Sequence, residues 1–151
     1  MLAVNRDKTW FPGGGEAYYY INHVGDVVRT EYRKGSPFFT AHFDAGNVFK
    51  DRNTADYVVE KLKLIAEIRW YIDDYHIATG GAYIVGKKNY TIGVDIASKK
   101  VMVVPATGYV AQPYLPIFTS EKAAEDFIEL FTPERLMMLF EDTVGYQGEV
   151  G

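Results

Sequence analysis

The residues best suited to chemistry in this 151-residue chain are its three histidines, His23, His42 and His76. His42 and Asp44 stand two apart in a run that reads as a strand, which would place both on one face. Asp73 and His76 are three apart on a helix, with Asp74 adjacent. Either pair has the makings of a metal ligand set or of a base with its orienting carboxylate. Two ligands do not complete a metal site, however, and neither pair sits in a metal-binding motif. No catalytic residue, metal or cofactor is therefore assigned, and an enzyme built around His42 and Asp44 ranks last of three functional readings.

Other signatures of catalysis are weak. Gly13-Gly14-Gly15 lacks the lysine and Ser/Thr of a phosphate-binding loop and precedes a strand, not a helix N-terminus. Ser36, Ser98 and Ser120 are the serines, none in a nucleophile elbow, and Ser120 reads as a helix cap. With no cysteine, disulfides, thiolate zinc sites and cysteine nucleophiles are excluded. A net charge of −4, with acids concentrated after Thr119, argues against nucleic-acid binding, whose affinity rests on phosphate neutralisation.

Binding is better supported than catalysis. Twelve tyrosines and nine phenylalanines exceed what a core of this size requires, so some rings should face solvent, where tyrosine favours contacts. Alternation along the first hairpin assigns Tyr19, Ile21, Val28 and Thr30 to the core, with Asn22 facing Val27 and Ile21 facing Val28. It leaves Tyr18, Tyr20, Arg29 and Glu31 on an outer face. Tyr18, Tyr20 and Arg29 are thus candidate binding residues. Trp10, Tyr109 and Tyr114 join them, because a pocket between the sheet and Trp10, Trp70 or the Tyr109–Tyr114 loop would suit a small molecule or nucleotide.

These residues must be positioned by a small set of elements. Strands are expected over Ala17–Ile21 and from Val27 to Tyr32, joined by the turn His23-Val24-Gly25-Asp26. A third strand is read around Phe38 to Phe43. Asp51 caps a long helix that carries Ala55, Val58, Val59, Leu62, Ile65, Ala66 and Ile72 at helical spacing, and that ends near Ile77, before Gly80-Gly81. A second hairpin follows, with Tyr90 to Asp95 and Lys100 to Val104 flanking the turn Ile96-Ala97-Ser98-Lys99; Asp95 pairs with Lys100. The loop from Pro105 to Pro116 has room for a short strand near Tyr109. Ser120 caps a helix over Glu121–Phe131, and Thr132-Pro133 starts another that runs to about Glu141.

The plan is therefore α+β: two β-hairpin-helix halves, roughly 10–78 and 82–142, in a single domain over 1–151, with antiparallel sheet, helices on one face, and a frayed tail at 145–151. Phe49, Asp51 and Ala55 align with Phe118, Ser120 and Ala124, which suggests an internal repeat. Asn5, Arg6, Asp7 and Lys8 leave no apolar core for a signal peptide, and no apolar run is long enough to span a membrane, so a cytoplasmic location is expected.

Two stretches resemble a pattern in small bacteriophage and prophage proteins. One is Trp10-Phe11-Pro12, then Gly15-Glu16-Ala17-Tyr18-Tyr19-Tyr20-Ile21 and Gly25-Asp26-Val27. The other is Gly46-Asn47-Val48-Phe49-Lys50 leading into Ala55-Asp56. Asp51, Asn53 and Thr54 depart from that pattern, which has threonine at the cap and glutamates after it. The resemblance implies a phage or prophage origin and carries over no catalytic residue. The preferred expectation is a non-catalytic accessory protein that binds another protein, such as a host or defence factor, with self-association also expected. The alternative is a small-molecule or nucleotide-binding module.

Overall fold

A three-residue loop sets the first hairpin. The Asn22 N–H donates to the Asp26 carbonyl (2.9 Å) and the Gly25 N–H to the Asn22 carbonyl (3.0 Å). The Asn22 side-chain oxygen accepts from the Val24 and Asp26 amides, at 3.0 and 2.9 Å. Gly25 has φ +89°, a left-handed conformation that side chains resist, and it completes a type I turn with a glycine bulge. This computed structural model describes residues 10–79, 84–106 and 114–141. Strands β1 (Ala17–Ile21) and β2 (Val27–Glu31) pair with Ile21 opposite Val27, Tyr20 opposite Val28 and Tyr18 opposite Thr30.

The expected register, derived from an even-numbered loop, is thus one residue off. Because side chains alternate with period two, that slip exchanges the faces. Tyr18, expected outside, is 1% exposed and shares its face with Tyr20, Val28 and Thr30. Tyr19 and Ile21, expected in the core, lie on the other face with Arg29 and are only partly buried.

The expected strand at Phe38 to Phe43 is instead a helix, α1 (Pro37–Asp44). Ser36 caps it by accepting the Phe39 amide at 3.4 Å, and Pro37 occupies the first turn, where its missing N–H costs nothing. Helical spacing puts Phe38, Phe39, His42 and Phe43 together, and this stripe packs on the tyrosines of the hairpin. Ring centroids are 5.2 Å apart for Phe39 and Tyr18, and 5.4 Å for Phe38 and Tyr20. The lead-in contributes Phe11, whose ring lies edge-on to Tyr32, Phe39 and Phe43.

Helix α2 (Arg52–Thr79) starts at Asp51, whose carboxylate accepts the Thr54 amide at 2.8 Å. That bond, with a second from the Thr54 hydroxyl, holds the Asp51 carboxyl below the usual carboxylate range. The chain forms two compact units, Met1–Leu62 and Lys63–Gly151. The boundary therefore falls inside α2 and not at the glycine pair, which lies outside the described residues. The buried positions of α2 reflect it: Ala55 and Val59 precede the boundary, Leu64 and Ile68 follow it, and Leu62, expected inside, is exposed.

In the second unit, β3 (Asn89–Asp95) and β4 (Lys100–Ala106) pair as expected, Asp95 opposite Lys100 and Ile92 opposite Val103. The two hairpins form separate two-stranded sheets. Two helices follow, α3 (Glu121–Phe131), capped by Ser120, and α4 (Pro133–Met137), capped by Thr132, both at the expected caps. Leu64, Ile68, Ile92, Phe118, Phe127 and Leu136 form the centre of this unit's core, each 0% exposed. Tyr71 reaches the same core, with its ring 5.2 Å from Phe127. Arg135 donates to Glu67 at 2.9 Å, tying α4 to the second part of α2.

One junction recurs in both units. Tyr19 of β1 exchanges two main-chain hydrogen bonds with Phe49, and Tyr90 of β3 does the same with Phe118. Each phenylalanine lies two residues before a helix cap. The chain entering each helix thus closes the outer edge of the first strand of its hairpin. In the first unit Asn47 extends this closure. Its side-chain oxygen accepts the Ile21 amide at 2.8 Å and its amide donates to the Ile21 carbonyl at 2.7 Å, as a strand residue would.

Candidate functional site

The described binding residues expected from the sequence fall in both units, and Tyr18 and Arg29 line one recess of the first. Tyr18 is buried beneath α1, and burial pushes its hydroxyl up, with Tyr20 beside it adding to the rise. It is a packing residue whose edge borders a recess. Tyr20 is half-buried and stacks on His42, at 4.2 Å and 23°. Arg29 is exposed on the opposite face of the sheet. Trp10 belongs to the first unit, whereas Tyr114, exposed with φ +72°, belongs to the second. Trp70 is also in the second unit and is exposed. Tyr109 lies outside the described residues, as do the strand expected beside it and the tail at 145–151.

What the first unit does assemble is a recess of about 470 Å³ between the open edge of β2 and the start of α1. Tyr18, Arg29, Thr30, Glu31, Arg33, Ser36 and Phe38 line it. Phe38 leaves 52% of its surface exposed, and so does Phe11 on the same side of the sheet. Arginine beside exposed aromatic rings is the composition enriched where proteins meet. Phe38 is not among the binding residues expected from the sequence, because its segment reads there as a strand, and nothing local marks Phe11 or Arg33. Ser36-Pro37, a cap followed by proline, was the signal for a helix.

His42 sits in the middle of this aromatic cluster, 4.1 Å from Phe38 between ring centroids. Its Nδ1 is buried with no hydrogen-bond partner among the described residues. Desolvation therefore lowers its pKa from the ordinary value near 6.5. Since α1 is helical, His42 and Asp44 stand about 200° apart around its axis and share no face. The strand geometry that would have made them an acid–base pair is therefore absent. Asp73 and His76 do fall on one helix, in the second unit. No group of three or more potential metal ligands is found among the described residues.

The lowered pKa has a definite sign for stability. The unfolded chain takes up the His42 proton at a higher pH than the folded chain, so stability is full above about pH 6.5 and falls as the pH drops below it. Thermal melts between about pH 7 and about pH 5 should show a smaller decline for His42→Phe than for the unaltered chain. Equal declines in both would remove His42 as a source of acid sensitivity.

Among the described residues, no helix is long and apolar enough to cross a membrane. Comparison with protein-family models, with curated proteins and with solved structures finds no match.

Proposed function

We propose that this chain is a non-catalytic accessory protein of phage or prophage origin that acts by binding another protein, with a bacterial host or defence factor as the partner. The observation that carries the reading is Phe38, half-exposed in the recess that Arg33 also lines, with Phe11 half-exposed against Phe39 of the same helix. Two half-exposed rings held rigidly by aromatic neighbours offer contact area at little cost in side-chain entropy, and a nearby arginine adds directional hydrogen bonds. The resemblance of Trp10-Phe11-Pro12 and Gly46-Asn47-Val48-Phe49 to phage sequences supports the origin.

The test is capture from bacterial lysate at physiological salt, with the full chain as bait. A stoichiometric partner is expected, and its recovery should fall about tenfold or more with Phe38→Ala. A melt confirming that the variant stays folded separates loss of contact from loss of structure. Recovery of no partner, or equal recovery by the folded variant, would sink the reading.

A second reading, an anionic small-molecule or nucleotide site, draws on Arg29 and Arg33, which line the same recess together with the Glu31 carboxylate. Thermal-shift measurement against nucleotides separates the two, because a ligand well above its dissociation constant must raise the melting temperature.

A further inference from the structure

The four strands differ in how their outer edges are treated. That of β1 is covered by Phe49 and the Asn47 side chain, and that of β3 by Phe118, with Thr91 also donating to the Pro116 carbonyl at 3.0 Å. The outer edge of β4 is blunted by Pro105. Tyr90, opposite Pro105, turns its main chain outward to Phe118, so the proline's missing N–H falls at an outward-facing position. Strand β2 has none of these devices. Bonds joining Asn22 to Asp26 and Tyr32 to Glu16 fix which pairs are hydrogen-bonded, so the main chains of Val27, Arg29 and Glu31 face away from β1. No hydrogen bond engages that outward side among the described residues.

The side chains along this edge are also unspent. Arg29 and Glu31 are both exposed, two apart on one face, and neither is in an ion pair among the described residues. An antiparallel neighbour of the same sequence has one register that satisfies charge and backbone together. With a two-fold axis at Thr30, Arg29 of each copy lies opposite Glu31 of the other, and both positions present outward N–H and C=O groups. The same axis sets the Thr30 side chains against each other, a favoured cross-strand pair. Centring on Arg29 would oppose like charges. Centring on Val28 would leave Glu31 facing no cation, since it falls opposite Gly25.

We infer that β2 pairs with β2 of a second copy of this chain, antiparallel about Thr30, in a two-fold dimer selected by the reciprocal Arg29–Glu31 contacts. This does not depend on the host-partner reading, which uses the rings of Phe11 and Phe38. Short edge pairing buries little area, so the dimer is concentration-dependent and weak.

Sedimentation or light scattering across a concentration series tests it, using the full chain. A monomer–dimer equilibrium is expected. R29E or E31R alone should raise its dissociation constant about tenfold or more, because the two-fold axis places each like-charge clash twice. The double variant R29E/E31R should restore dimerisation, a rescue that mere unfolding of the single variants would not produce. A chain monomeric at every concentration, a dimer indifferent to R29E, or a folded double variant that stays monomeric would each overturn the inference. Phe38→Ala should leave the dimer intact, so loss of the lysate partner and loss of the dimer are separable results.

Discussion

Replacing Phe118 with alanine is expected to destabilise the second unit by about 3–5 kcal/mol, which is most of the stability of a marginal domain. The side chain is 0% exposed and lies between Tyr75 and Phe127, at centroid separations of 5.4 and 5.3 Å. Truncation removes a large apolar surface and opens a cavity in a core whose other members are anchored on β3, α3 and the second part of α2. The residue also holds backbone: its N–H and carbonyl bond Tyr90 at 2.7 and 2.9 Å. Next to it, the Tyr75 hydroxyl accepts the Thr119 amide at 3.0 Å, so loosening the ring disturbs the approach to the Ser120 cap. Denaturant melts monitored by near-ultraviolet signals should report the loss. A change under about 1 kcal/mol would mean that the core collapses around the gap, contrary to the tight ring packing described.

Asn47→Ala is expected to cost about 1–3 kcal/mol in the first unit, a large effect for a partly exposed polar residue. Its side chain makes both bonds that a strand residue would make to Ile21, and alanine leaves the Ile21 N–H and carbonyl without them. Asn47→Asp sharpens the test. The carboxylate still accepts the Ile21 amide, but it sets an oxygen against the Ile21 carbonyl where asparagine donates, so at neutral pH it should be no better tolerated than alanine. Hydrogen exchange at the Ile21 amide is the direct readout, with faster exchange expected in both variants. Unchanged protection would show that the edge closure at Phe49 suffices without Asn47.

The two hairpins differ in how far local sequence dictates their register. Asp95 and Lys100 were paired correctly because the four residues between them contain only one plausible turn, with Asp95 accepting the Ala97 and Ser98 amides. The register of the first hairpin differs from the expected one by one residue. Asn22 and Gly25 are three apart, the signature of a type I turn and glycine bulge, whose odd loop moves every partner by one. That single slip turned Tyr18 from a proposed surface residue into a core one. The helix entries at Asp51, Ser120 and Thr132 were all recovered, since a cap is a local exchange between one side chain and the amides just after it.

The candidate site was much less legible. Arg29 is in solvent as expected, but Phe38 and Arg33 have no local signal, because the recess depends on α1 folding back over the hairpin. Phe38, Phe39, His42 and Phe43 are rich in β-forming aromatics, and only Ser36-Pro37 argued for a helix. Propensity lost to tertiary packing: as a helix, this segment lays its rings on Tyr18, Tyr20 and Tyr32.

By itself, the sequence determined the α+β class, the second register, the helix starts and the paired hairpin-helix plan, because each is written in turns and caps that act over a few residues. The tertiary structure decided which face of the first hairpin is buried, where α2 passes from one unit to the next, and which edge is left open. Those are outcomes of burial, in which residues far apart in the chain compete for the same apolar surface.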